Sequence, residues 1–177
     1  MHTTNGRIGI SADECRLLTS LLEIEDKNYR RLLRLAWRQN SYMKRQDVDR
    51  LDANAHDWAQ FLPIADQSRI ARERHVAAMA SKAGISVPPG RVSDLLDYTD
   101  PLIRKVVSAM MISLRRTAGK LAQQNRLNRN LAEFCLDLAQ EESKIFKNCV
   151  LEDPAGCYGG DAKATSRGPS GFLVKQA

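Results

Sequence analysis

Between Pro101 and Pro154 the chain contains no proline, and apolar residues recur through that interval at three- and four-residue steps. Asp100 stands before Pro101, the order expected of an N-cap followed by proline at the first helical position. The spacing predicts a single helix of about 50 residues, roughly 75 Å long at 1.5 Å per residue. Stepping by sevens gives Ile103, Met110, Thr117, Gln124, Leu131, Leu138 and Ile145, and in parallel Val107, Leu114, Leu121, Asn128, Cys135, Glu142 and Cys149. These are the a and d positions of a helical seam, apolar toward both ends and polar at Thr117, Gln124 and Asn128. A helix this long cannot bury its stripe alone, so other helices must fold back along it.

The upstream sequence supplies them. Ser11-Ala12-Asp13-Glu14 is a capping box, in which the Ser11 hydroxyl caps the Glu14 amide and the Glu14 carboxylate reaches back. Leu18, Leu22, Tyr29, Leu32, Leu33, Ala36 and Met43 then form an apolar stripe, with Arg30, Arg31, Arg34, Arg38 and Lys44 largely between them. Asn40-Ser41 and the acidic stretch Asp47 to Asp52 weaken helix propensity, which predicts a kink or break near residues 40–48. Beyond it Val48, Leu51, Ala55, Trp58 and Leu62 continue the pattern up to Pro63, where a boundary or kink is expected. Ile64 to Ala83 is a further helical stretch, carrying Ile70, Val76 and Met79 and closed by Gly84 as a left-handed cap. Pro88-Pro89-Gly90 makes Ile85 to Arg91 a loop, followed at most by a short helix at Val92 to Tyr98.

The reading is therefore all-α: an elongated antiparallel helical hairpin or three-helix bundle over residues 1–152, with one long C-terminal helix. Residues 153–177 hold half of the ten glycines and read as a flexible Gly-rich tail. Phe172-Leu173-Val174 near its end is an apolar cluster outside any helical stripe, which admits two readings, a segment that orders on a partner or an inert tail.

With 177 residues, 43% hydrophobic but only 6% aromatic, the chain can fill one helical core without the composition of a sandwich or barrel. No apolar run approaches the roughly 20 residues of a membrane span, and Met1 to Ile10 carries no signal-like apolar core. A cytoplasmic protein without membrane insertion is expected. Cys15, Cys135, Cys149 and Cys157 then read as reduced thiols.

Chemistry-bearing motifs are sparse. The nearest cysteines, Cys149 and Cys157, are too far apart for a zinc pair. No Glu stands three residues before His2, His56 or His75, as a di-iron bundle would need. No phosphate-cradling glycine loop occurs. Cys135 lies on the seam, which favours a buried inert thiol over a nucleophile partnered by His75. No catalytic residue, cofactor or small-molecule substrate is expected. Trp37 and Trp58 sit at stripe spacing and read as core. The net charge of +6 and the series Arg30, Arg31, Arg34 and Arg38 admit two readings, a solvated face or a nucleic-acid contact. The amides Gln124, Asn125 and Asn128 likewise admit two, a register layer or a groove that holds a partner helix.

The order of features resembles the flagellar export chaperones of the FlgN type. Leu21-Leu22-Glu23-Ile24-Glu25 and Tyr29-Arg30-Arg31-Leu32-Leu33 come first, then the acidic Asp47 to Asp52 region, Arg74, and Lys82-Ala83-Gly84 before a Pro/Gly loop. Asn125-x-x-Asn128-x-x-Leu131 follows in the long helix, and a tail with Tyr158-Gly159-Gly160 ends in Phe172-Leu173-Val174-Lys175-Gln176-Ala177. The four cysteines, the arginine content and the glycine-rich tail depart from that pattern. The resemblance implies a non-enzymatic chaperone that binds the C-terminal helical region of hook-filament junction proteins, blocks premature assembly and delivers them to export apparatus components. Client capture would then fall on about Asn148 to Ala177. Tyr158, Phe172, Leu173 and Val174 are the candidate contacts, with Asn125 and Asn128 as groove or register residues. A basic helical nucleic-acid-binding protein is the alternative, and a homo-oligomer paired through exposed stripe is left open.

Overall fold

The computed structural model describes residues 10–85 and 91–151, with side chains to residue 147 in the last helix. The tail 153–177, with Tyr158, Phe172, Leu173 and Val174, lies outside the described residues. Three long helices, α1 (Ala12–Arg45), α2 (Val48–Lys82) and α3 (Pro101–Leu151), account for most of the described chain, and a short 3₁₀ helix covers Val92–Tyr98. The all-α reading with one long C-terminal helix holds.

α1 starts as the capping box dictates. Ser11 Oγ accepts the Glu14 N–H at 3.2 Å, and Glu14 Oε2 accepts the Ser11 N–H at 3.1 Å. Ile10, just before the cap, packs into the same core cluster as Cys15 in the next turn and fixes the entry of the chain. Glu14 also accepts from Lys82 Nζ at 2.8 Å, tying the start of α1 to the end of α2. The Lys82 ammonium, with help from Ser11, holds the Glu14 carboxyl at about 2, well under its ordinary 4.5. A depressed carboxyl adds stability that is complete above the ordinary value and is lost as pH falls toward the native one. Glu14→Gln is therefore expected to cost about 1 kcal/mol at neutral pH and almost nothing near pH 2, as urea denaturation at the two pH values would show.

The break expected near residues 40–48 falls at Gln46. Its φ of 54° is left-handed, which turns the Gln46 N–H onto Met43 O and the Asp47 N–H onto Tyr42 O. Asp47 then caps α2 by accepting the Arg50 N–H at 3.2 Å. α2 closes as expected at Gly84, with φ 65° and the Ile85 N–H on Ala80 O.

Pro63 does not end a helix: of the boundary or kink expected there, the boundary is absent and α2 continues through the residue. The residue and its neighbours Leu62 and Ile64 are exposed, and so is Ala59, whose carbonyl loses its donor one turn earlier. The local cost of roughly 3 kcal/mol is offset because Phe61 and Ala65, on either side, are buried against α1.

The buried line of α2 also differs from the expected one. Val48 is 71% exposed and Ala55 and Leu62 are exposed, while Asn54, Phe61, Ala65, Ser68, Val76, Met79 and Ala80 face inward. Two polar residues occupy this stripe, which is why apolar spacing alone mislocates it. Asn54 Nδ2 donates to Leu35 O at 3.3 Å and Ser68 Oγ to Ala65 O at 2.6 Å, while the buried Asn54 Oδ1 has no hydrogen-bond partner among the described residues.

The described chain divides into two compact units, residues 1–131 and 132–177. In the first, α1 and α2 are antiparallel: Glu14 meets Lys82, Glu25 meets Arg72, and Leu35 meets Asn54. The first part of α3 runs parallel to α1, since Asp26 meets Ser113 and Ala36 meets Asn128. α2 is therefore antiparallel to this part of α3. The seam positions Ile103, Val107, Met110, Leu114, Thr117, Leu121, Gln124, Asn128 and Leu131 are all buried or half-buried.

Two apolar clusters make the core of this unit. The larger joins Cys15, Leu18, Leu22, Val76, Met79, Leu95, Leu96 and Val107, with the 3₁₀ helix plugging its end. The smaller joins Leu32, Leu35, Phe61 and Ala65, with Tyr29, Trp58 and Leu121 packed on it. Between them in sequence on both helices lies the buried pair Glu25 and Arg72, Nε to Oε2 at 2.5 Å. Burial beside Glu25 pushes the Tyr29 hydroxyl up.

In the second unit every residue from 132 to 147 is exposed. No described helix is long and apolar enough to cross a membrane.

Candidate functional site

Asn128 is 5% exposed and its amide is fully used. Nδ2 donates to Ala36 O at 2.8 Å and Gln39 Oε1 at 2.9 Å, while Oδ1 accepts from Asn40 Nδ2 at 3.0 Å and Gln124 Nε2 at 2.9 Å. Both donors and both acceptor directions of the side chain are satisfied. A one-turn slip of α3 against α1 would break the three bonds to Ala36, Gln39 and Asn40, while the Gln124 bond within α3 would stay, so this layer fixes register. Asn125 is exposed on another side of α3 and does not join the layer.

Arg30, Arg31, Arg34 and Arg38 share one exposed arc of α1 but differ in what they contact. Arg30 is held by Asp26 at 2.8 Å and donates to Ser113 Oγ at 3.1 Å. Burial alone would raise the Asp26 carboxyl, but the Thr117 hydroxyl and the Arg30 guanidinium, with Ser113, hold it below the usual carboxylate range. Arg31 stacks on Phe61 of α2, 4.0 Å from the ring centre. Arg34 and Arg38 have no ion pair among the described residues.

Trp37 is 52% exposed, so it is not core. It stands at the rim of the buried arc of α1, beside a groove of about 410 Å³ between α1 and α3. Trp58 is half-buried and packs on the smaller cluster as expected.

Cys135 is exposed, against its reading as a buried thiol. Its seam position is real but nothing described covers it. Cys15 is the buried one, and burial pushes its thiol up, which lowers its nucleophilicity. It borders an apolar cavity of about 320 Å³ lined by Ala12, Arg16, Thr19, Leu102, Ile103 and Val106, with no general base among them. His75, the partner weighed for Cys135, is hydrogen-bonded through Nε2 to Glu14 O at 2.9 Å. No group of His, Cys, Asp and Glu among the described residues could hold a metal ion.

The second unit carries an apolar surface that sequence reasoning only half identifies. Phe134, Leu138, Ile145 and Phe146 are 45–64% exposed. At 100° per residue they share one arc of the helix with Cys135 and Glu142, while Glu133, Asp137, Gln140, Ser143, Lys144 and Lys147 take the other side together with Leu136. Heptad stepping reaches Leu138 and Ile145 as seam, but not Phe134 or Phe146. The available signal is the return of large apolar residues after the polar run Gln124 to Asn128.

Among known proteins, the model of the family described as FlgN protein matches residues 16–166 of this chain. No curated protein and no solved structure matches it.

Proposed function

Since the chain belongs to the FlgN family, a family of flagellar chaperones, we propose that it is a cytoplasmic export chaperone for hook-filament junction proteins. In this reading it binds their C-terminal helical region, prevents premature assembly and delivers them to the export gate. It performs no catalysis and takes no small-molecule substrate.

The observation that supports the reading best is the apolar arc of Phe134, Leu138, Ile145 and Phe146 in a water-exposed helical segment, uncovered among the described residues. An amphipathic client helix can lay its own apolar stripe against such an arc. Tyr158, Phe172, Leu173 and Val174 are the proposed tail contacts, with Asn125 at the margin and Asn128 holding register. Coupling tail ordering to binding costs roughly 2 to 5 kcal/mol, which keeps a complex releasable, as export requires.

Two variants test this. Deleting 153–177 is expected to abolish capture of junction proteins with helicity by circular dichroism nearly unchanged. Phe134→Ser with Leu138→Ser and Ile145→Ser is expected to weaken capture by at least about 100-fold, three anchors covered on binding at more than about 1 kcal/mol each. Undiminished capture by the deletion removes the tail assignment. Undiminished capture by the triple variant removes the apolar arc from the interface.

A further inference from the structure

The groove beside Trp37 combines features that neither the bundle nor the apolar arc explains. Its floor is Leu33 and Thr117, both under a tenth exposed. Its walls are Arg30, Arg34 and Trp37 from α1 and Arg116 and Lys120 from α3, with Ser113 at one end. No carboxylate lines it. Arg34, Arg116 and Lys120 have no ion pair among the described residues, and Arg30 is the one cation there already neutralised, by Asp26. Like charges one helical turn apart, as at Arg30 and Arg34 or Arg116 and Lys120, are mutually destabilising by a few tenths of a kcal/mol. A cationic cluster built at that cost around an exposed indole is suited to an anionic occupant.

The next stretch of the same groove shows what kind. There the walls are Glu23, Asp26, Lys27 and Arg30 over Leu22, Ala109 and Met110, with two carboxylates for two cations. A phosphodiester backbone laid along the groove would leave the cations and run onto Glu23 and Asp26. A polypeptide helix can change its charge within two turns and can offer an apolar side chain to Trp37. Two parallel helices with Leu33 at the floor between them and Trp37 at the rim can also seat a third helix.

We propose that the groove formed by Arg34, Trp37, Arg116 and Lys120 is a docking site for an acidic amphipathic helix of a partner protein. Its carboxylates, three or four residues apart, meet Arg34, Arg116 and Lys120, and an apolar residue lies on Trp37. The site is independent of the client reading, because all its residues fall within 1–131.

The test uses the full chain with Trp58→Phe, so that Trp37 is the sole indole. The probe is a fluorescein-labelled synthetic amphipathic helix with Glu along one face and Leu along the other. Titration is expected to change Trp37 emission and raise peptide anisotropy, with affinity falling as salt rises. Arg34→Gln, Arg116→Gln and Lys120→Gln together are expected to weaken binding at least about 10-fold. Arg115→Gln, Arg126→Gln and Arg129→Gln, which remove the same charge from another side of α3, are expected to change it less than about 3-fold. Equal losses in the two triple variants, or an unchanged Trp37 signal, would overturn the proposal. So would tighter binding of a single-stranded oligodeoxynucleotide through the same three residues, which would make the groove a nucleic-acid site.

Discussion

Arg72→Ala is expected to destabilise the bundle by about 3–5 kcal/mol, because it leaves the Glu25 carboxylate buried without its counter-ion. Glu25 is 1% exposed and Arg72 meets it with Nε at 2.5 Å and an Nη at 3.4 Å. Removing one member of such a pair differs in kind from removing both. Glu25→Met with Arg72→Met takes away two desolvated charges and puts apolar volume between the two core clusters. The double variant is expected to recover most of the loss, since apolar replacement of a whole buried pair is often neutral or stabilising. Urea denaturation followed by helicity measures both. A single variant costing under about 1 kcal/mol would show that water reaches the Glu25 carboxylate freely.

Leu95→Ala carries the second large effect, about 3 kcal/mol or more. Leu95 has no exposed surface, and it enters the larger cluster from a helix of seven residues that packing must hold in place. Truncation opens a cavity at the point where the chain passes from α2 to α3, with few neighbours free to collapse into it. Leu102→Ala, at a side chain 77% exposed, is the matched control and is expected to shift stability by no more than about 0.5 kcal/mol. Comparable losses at the two positions would mean that the 3₁₀ helix does not close the core.

Parts of this architecture are legible in the sequence for physical reasons. Capping boxes and left-handed caps are local chemistry, so Ser11 and Gly84 can be read directly. The α3 seam up to Leu131 is regular enough that its period suffices. α2 misleads because Asn54 and Ser68 occupy inward positions, and their burial is decided only once the helices are packed. Pro63 misleads because the penalty for proline is local while the burial of Phe61 and Ala65 that outweighs it is tertiary. The candidate surface is half legible: a stripe reports that Leu138 and Ile145 are apolar, whereas being uncovered depends on what packs there. Trp37 and Cys135 depart from expectation in the same way, since spacing alone assigns each of them to the core.

The unequal size of the two core clusters has a consequence for how the first unit opens. The end closed by the 3₁₀ helix holds most of the buried aliphatic residues, while the end near Gln46 rests on the smaller cluster, on Leu33 and Ala36 and on the Asn128 amide. Thermal breathing should therefore begin at the α1–α2 turn and travel inward as far as the Glu25–Arg72 pair before the rest gives way. A pulling force applied at the turn would meet the weaker half first, and would strip the amide clasp from α3 before it disturbed the leucines.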